Sequence, residues 1–437
     1  GSEMCIRDSV MTLVTPRIYG LLTSLCVPLA KLYLKKRAKK QPDYLLNWDE
    51  RFARKPFPSP VKPRLWVHAV SVGETNAAAP LIEELVKRFG DIEVLLTCMT
   101  PTGRDAGLKL AKRFAGRVTQ CYLPYDVPAY ARRFLDETRP RLAVFMETEV
   151  WPNMLAEIHR RGIPVVLANA RESEKSLKKA LQFEAVMRPA FAAFDAVLAQ
   201  SKADAARFEA LGAKNITVCG SLKFEVREDP GQTRLARDFK AKAGRPVVLI
   251  ASTREGEEAM FAPLLRCFAG KATVLLVPRH PQRFNEVAQL LEAAGLDVVR
   301  RSACPSLEAL DARHDVILGD SMGEMSFYCA AADVCLMGGS FGNTGCQNLI
   351  EPAAAGSPVI LGPSTYNFAQ IAADALRMGA AFAVKDAREG ITRALELVDN
   401  AALRSLASQR ALTFAKTYTG AVGKMADKAE ELWKKSA

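Results

Sequence analysis

The sequence predicts an α/β protein of two doubly wound halves facing each other across a cleft, behind an N-terminal apolar, membrane-associated helix. Three observations predict it. The chain has 437 residues, more than one ordinary core of ~100–200 residues holds. Short apolar runs alternate with helical stretches, the pattern of a parallel sheet covered on both faces. The alternation pauses once, between Gly220 and Pro246, and so divides the chain into two similar parts.

Residues 1–9 fit nothing that follows and are set aside as a cloning or assembly remnant. Residues 10–40 are the expected membrane-associated segment. Ile18–Ala30 carries no charge, and Lys31, Lys35, Lys36, Arg37, Lys39 and Lys40 follow it. The uncharged run is shorter than the ~20 residues that span a bilayer. Val10 to Leu34 reaches that length with Arg17 and Lys31 near its ends, where long side chains snorkel. The basic run is expected on the cytoplasmic side, where it attracts anionic lipid. The competing reading is a first helix packed on the soluble body. No small-residue cleavage site follows, so a removed signal peptide is not expected.

The first half, residues 41–225, begins with the Pro-rich stretch Pro56–Pro63. Strands are expected at Leu65–Ala69, Glu93–Thr97, Val118–Leu123, Leu142–Phe145, Val165–Ala168, Ala196–Ala199 and Ile216–Val218. Residues 226–245 are charged and polar and read as a linker. The second half, residues 246–437, is expected to carry strands at Val247–Ala251, Thr273–Val277, Val316–Leu318, Val334–Met337, Val359–Leu361 and Ala381–Val384, with helix from Ala401 on. Ligands of such sheets bind beyond the carboxyl ends of the strands. Several polar, Gly-rich segments sit there, each directly after an apolar run.

In His68-Ala-Val-Ser-Val-Gly-Glu74 a strand ends, Gly73 permits a tight turn and Glu74 opens a helix, where the helix dipole favours a carboxylate. On this motif alone a plain helix-start role outweighs that of a general base. Glu147 and Glu149 follow the Leu142–Phe145 run. One can bond a substrate hydroxyl while the other is structural, and Trp151 reads as packing. Lys223, after Ile216–Val218, is either a solvated lysine or a cation for an anionic donor. Arg279 ends a strand with a fork suited to phosphate or carboxylate. Gly319 to Glu324 opens a helix whose backbone N–H groups can cradle phosphate, although no Gly-Lys-Ser/Thr triplet makes it a Walker loop. Gly338 to Gly342 allows close backbone approach to a ligand. Asn348 and Glu351, three apart on one helix face, suit ribose hydroxyls.

The net charge is +12, from 60 Lys+Arg against 48 Asp+Glu, which favours an anionic partner. The ten cysteines form no C-x-x-C pair and there are four histidines, so neither a zinc site nor a disulfide framework is expected. Cys98, Cys219 and Cys335 lie in apolar runs and read as core.

The ordered set HAVSVGE, PYDVP, METEVWPN, NARESEKS, GSLKFE, ASTREGEE, PRHPQRF, GDSMGEM, AADVCLMGGSF and NLIEPAAAGSPVILGP resembles the 3-deoxy-D-manno-octulosonic acid (Kdo) transferase family, from about Tyr33 to near the C-terminus. The resemblance implies a GT-B fold of two Rossmann-like domains, the first binding acceptor and the second CMP-Kdo. It implies inverting transfer of Kdo from CMP-Kdo to a lipid A precursor (lipid IVA), at the cytoplasmic face of the bacterial inner membrane, in lipopolysaccharide synthesis. By motif, Glu74 resembles the proton acceptor, and Glu147 and Lys223 resemble the family's transition-state-stabilising positions. Pro278, Arg279, Met322, Gly323, Glu324, Asn348, Leu349, Ile350 and Glu351 resemble the CMP-binding segments. No cofactor is expected, and a single-phosphate leaving group needs a metal less than a diphosphate does. The sequence departs from the family at Gly345-Cys346-Gln347-Asn348, where Cys346 replaces a glycine and no histidine role carries over.

Two other readings stand beside this one. A sugar-nucleotide epimerase of the same fold needs no membrane segment, and the Ile18–Ala30 run argues against it. A non-catalytic basic protein binding nucleic acid needs a basic stripe with interleaved aromatics. Aromatics are 8% of the chain and its basic residues are spread, so nucleic acid is not the expected partner.

Overall fold

The computed structural model describes residues 14–114, 116–226 and 229–436. The remnant assigned to residues 1–9 and the start of the apolar segment, residues 10–13, lie outside the described residues. The chain forms two compact units. The first runs through Glu225 and takes in the chain from Gly420 on, and the second is Val226–Thr419.

The first unit is built on seven strands: β1 (Arg64–His68), β2 (Glu93–Cys98), β3 (Val118–Tyr122), β4 (Leu142–Met146), β5 (Val165–Ala170), β6 (Ala196–Ala199) and β7 (Ile216–Val218). Their order is β3-β2-β1-β4-β5-β6-β7, and neighbouring strands pair in parallel. Both faces are covered, which explains the near-continuous apolar runs. Alternate residues feed opposite cores. Leu65, Val67, Leu142 and Val144 join one, while Trp66, Ala143 and Phe145 join the other with Phe134 and Met154.

The second unit has β8 (Val247–Thr253), β9 (Thr273–Pro278), β10 (Val298–Arg300), β11 (Val316–Leu318), β12 (Val334–Met337), β13 (Val359–Leu361) and β14 (Ala381–Ala383). Their order is β10-β11-β9-β8-β12-β13-β14. The chain crosses from one half of each sheet to the other between β1 and β4 in the first and between β8 and β12 in the second, where it turns to the opposite direction. Ligands of doubly wound sheets bind at such points.

Four expectations are corrected. The stretch read as a linker holds the helix Pro230–Ala243, started by Asp229, whose carboxylate accepts from the Gly231 and Gln232 N–H groups. This helix belongs to the second unit, burying Phe239 against Phe327, while Arg227 and Glu228 lie outside the described residues. The second half does not keep the C-terminus. The helix Ala421–Lys435 packs on the first sheet, with Trp433 stacked on Phe89 at 4.5 Å and Arg141 over the Trp433 ring. β10 was not foreseen, because it is a half-buried edge strand of three residues without a clear apolar run.

The fourth correction concerns the apolar N-terminus. It is two helices, Pro16–Leu25 and Val27–Ala38, bent by 52°, because Pro28 lacks an N–H and crowds the preceding turn. Among the described residues no single helix is long and apolar enough to cross a membrane. The pair sits on the first unit through Tyr19 Oη, which donates to Asp126 (3.1 Å), and Asn153 Nδ2, which donates to Thr23 (3.2 Å). Gly20 admits the contact: a Cβ there would meet Pro128 at 3.0 Å. Ile18, Leu21, Leu22, Leu25, Leu29, Leu32 and Tyr33 remain exposed.

Candidate active site

At the reversal point of the first sheet, β1 and β4 deliver their loops side by side. After β1, Ser71 caps the helix Val72–Phe89. The Glu74 carboxylate accepts from the Val70 N–H (2.8 Å) and from the Ser71 hydroxyl (3.1 Å). Glu74 is thus a helix-start residue, as its motif alone suggests. Yet burial lifts its carboxyl above the ordinary range, and a neighbouring Glu147 charge adds to the lift, while these two bonds and Lys223 oppose it. A carboxylate made more basic by burial is suited to take a proton. Gly73 differs from expectation, since it lies in the first helical turn and a Cβ there would make only an ordinary contact, 3.8 Å from Ser71 Oγ.

Glu147, directly after β4, has φ +57°, a left-handed conformation that costs a non-glycine residue of order 1–3 kcal/mol. Its Oε1 stands 3.9 Å from Lys223 Nζ. Lys223 comes from the short turn after β7, whose Leu222 N–H donates to Asn169 Oδ1 at 3.0 Å. The structure therefore brings Glu74, Glu147 and Lys223 together.

Glu149 completes the group. Its Oε2 accepts from Trp151 Nε1 at 2.9 Å and lies 3.9 Å from His68 Nε2. Burial, then the Glu74 charge, pushes its carboxyl up to about 7. His68 is fully buried, and burial pushes its imidazole down to about 3, so the ring is neutral.

In the second unit, the reversal point between β8 and β12 opens into a cavity of about 230 Å³ lined by Ser252, Arg279, Gln347, Asn348 and Glu351. Asn348 Nδ2 donates to Glu351 Oε1 at 3.0 Å. Burial raises the Glu351 carboxyl, opposed by that bond and by the Arg279 charge. Arg279 is exposed directly after Pro278 at the end of β9, free to reach an anion. Leu349 and Ile350 are fully buried, and the Ile350 N–H donates to Asn348 Oδ1 (3.1 Å). Their side chains are core. Cys346 is also fully buried, so it packs in place of the glycine.

Met322 and Gly323 are exposed beside this strand end. The Glu324 carboxylate is held by Arg301 (2.7 Å) and Ser321, so its side chain is committed to the loop. The first turn of the following helix has one N–H, that of Phe327, already bonded to Gln232 (3.2 Å).

The Gly338 loop departs from the ligand cradle that was expected. Its Gly339, Phe341 and Gly342 N–H groups all donate to Glu257, which also accepts from Arg254 N–H. The loop wraps a fully buried carboxylate of its own chain. Gly338 is required for packing, since a Cβ would lie 2.4 Å from the Ser252 carbonyl. Sequence reasoning missed Glu257. It also missed Glu258, which pairs with Arg283 through two contacts, and Asp126, whose carboxylate accepts from the Asn153 and Met154 N–H groups behind the Glu147 loop. The signal was a charged residue in a segment that the fold buries, visible only once the segment is placed.

Among the described residues no group of three or more His, Cys, Asp or Glu is placed to hold a metal ion. Cys98, Cys219 and Cys335 are buried, as their apolar surroundings predict.

A family model for 3-deoxy-D-manno-octulosonic-acid transferases matches residues 46–226. A 3-deoxy-D-manno-octulosonic acid transferase of Bordetella pertussis is 43% identical over 425 residues, covering 95% of this chain and 98% of that one. The chain belongs to the Kdo transferase family. A Haemophilus influenzae relative of the same name is 32% identical, over 87% of this chain and 90% of its own. A UDP-GlcNAc 2-epimerase structure from Neisseria meningitidis shares the fold, with a TM-score of 0.52 at 13% identity, covering 85% of this chain and 100% of that one. That likeness speaks to fold alone, whereas the family relationship makes this chain an enzyme, a Kdo transferase, and displaces the epimerase and nucleic-acid readings.

Proposed function

We propose that this Kdo transferase takes its sugar from CMP-Kdo and adds it, with inversion, to a sugar hydroxyl of a lipid A precursor, lipid IVA. The setting of Glu74 carries the reading: a carboxylate made more basic by burial, at the reversal point of the sheet, beside the Lys223–Glu147 pair. Glu74 takes the proton of the acceptor hydroxyl as its oxygen bonds the anomeric carbon and the bond to CMP breaks. Positive charge develops on the ring and negative charge on the departing phosphate. Glu147 and Lys223 are matched in sign to these charges.

The second unit holds the donor in this reading. Arg279 offers its fork to the phosphate, and Asn348 and Glu351 take the ribose hydroxyls, with Pro278, Met322, Gly323, Glu324, Leu349 and Ile350 shaping the site through backbone and packing. We take the transfer to need no metal, because the leaving group has one phosphate and a cation beside it. The exposed leucines of the two N-terminal helices and the exposed Lys35, Lys36, Lys39 and Lys40 support attachment to the cytoplasmic face of an anionic inner membrane.

The test is to incubate the protein with lipid IVA and CMP-Kdo generated in situ, with and without a chelator, and to follow acceptor mass. A gain of one or more Kdo units in both samples is expected. No gain from protein that still binds CMP would overturn the acceptor assignment.

A further inference from the structure

We propose that Glu149 is a positioning residue for Glu74: it holds the proton that these two carboxyls share, and so leaves Glu74 ionised and ready to act as the base. This rests on the reading of Glu74 as base.

Glu74 after β1 and Glu149 after β4 lie on neighbouring loops, with Glu147 between them and Lys223 paired to it. The Glu74 charge raises the Glu149 carboxyl, so the two favour holding one proton in common. The bonds decide where it resides. Glu74 is held ionised by two donors, the Val70 N–H and the Ser71 hydroxyl. Glu147 has the Lys223 ammonium. Among the described residues Glu149 has no charged partner and one close donor, the Trp151 indole N–H, and its Oε1 makes no described hydrogen bond.

The surroundings of Glu149 hold it in place without charging it. Thr97 Oγ1 accepts the Trp66 indole N–H at 2.8 Å. The Thr97 hydroxyl also contacts His68 Nδ1 at 2.9 Å and the Val67 carbonyl at 3.5 Å. His68 Nε2, a buried atom with no hydrogen-bond partner, faces Glu149 Oε2 at 3.9 Å. Trp151 Nε1 reaches the same oxygen. One neutral N–H thus fixes Oε2 and leaves Oε1 to carry the proton. Tyr19 and Asp126 line the same groove as Glu149 and are bonded to each other. The upward push on the Glu149 carboxyl from burial and from Glu74 agrees with this placement.

The test is carboxyl NMR of the full chain labelled with δ-13C glutamate, titrated from acid to mild alkali without substrate, alongside the pH profile of kcat/KM. One glutamate is expected to titrate near neutrality, to vanish in Glu149→Gln, and to move down by about a unit or more in Glu74→Gln, where the facing charge is gone. The wild-type profile should carry an inflection at the same pH that Glu149→Gln lacks. A near-neutral step that survives in Glu149→Gln or stays unmoved in Glu74→Gln would overturn the proposal. So would a Glu149→Gln profile lowered by one factor at every pH with its inflection kept. The NMR arm needs no donor or acceptor, so absence of Kdo transfer would count against the proposed function and leave this test intact.

Discussion

Lys223 Nζ stands 3.9 Å from Glu147 Oε1, although the two residues follow strands at different places in the sheet, β7 at its edge and β4 at its reversal point. The turn after β7 is drawn inward by Asn169, which sits on β5 with φ +52° and accepts the Leu222 N–H. The Lys223 charge lowers the Glu74 carboxyl. Lys223→Ala should therefore move the acid limb of kcat/KM to higher pH, because the base protonates sooner without the nearby cation, and should cut kcat by about 10²-fold. Steady-state rates across pH check both. Lys223 is half exposed, so the limb shift should shrink with added salt.

Arg279 and Glu351 are predicted to act on the donor. Arg279→Ala should weaken CMP binding by about tenfold or more, as expected for losing a charge-assisted contact of roughly 1.5–3 kcal/mol. It should also raise the Glu351 carboxyl further, since the Arg279 charge opposes the burial that raises it. CMP affinity in the variant should then fall away at a higher pH on acidification than in the parent. Calorimetric titration with CMP at several pH values measures both effects.

Glu257 is predicted to be structural. Its carboxylate satisfies four backbone N–H groups, and a buried donor left without a partner costs about 1–3 kcal/mol. Glu257→Ala should lower unfolding stability by at least about 3 kcal/mol in denaturant titration, with Glu257→Gln less severe. CMP affinity should fall with it, because Gln347, beside Asn348, is tied back to Gly338.

The exposed leucines give a prediction that is independent of catalysis. Replacing Leu21, Leu25 and Leu29 with serine should abolish co-sedimentation with vesicles containing anionic lipid, while leaving CMP binding intact. Adding salt to the parent protein should weaken sedimentation without abolishing it, since apolar insertion and basic attraction both contribute.

Much of this was legible in the sequence because buried parallel strands leave continuous apolar runs. The limits of β6, β7, β11, β12 and β13 were read directly, and Glu74, Glu147 and Arg279 sit where strand ends placed them; Glu351 lies on a helix as expected, but Asn348 precedes that helix. The misses have physical causes. β10 is a half-buried edge strand of three residues, so its two valines make too short an apolar run to stand out. The Pro230–Ala243 helix looked like a linker because its charged face outweighs the few residues it buries. The apolar N-terminus read as one helix because its composition is uniform, and the break depends on Pro28. Glu257 was illegible for a different reason: glycines that approach a ligand and glycines that wrap a buried carboxylate look alike until the partner is placed. Asn169 was missed because its left-handed backbone and its bond to Leu222 join segments some fifty residues apart.

The central claim is that Glu74 is the base. The direct measurement compares Glu74→Gln with the parent protein for CMP binding by calorimetry and for Kdo transfer to lipid IVA by acceptor mass. The account predicts unchanged CMP affinity with turnover lower by about 10²-fold or more. Near-normal turnover in Glu74→Gln would contradict it and remove Glu74 from the chemistry.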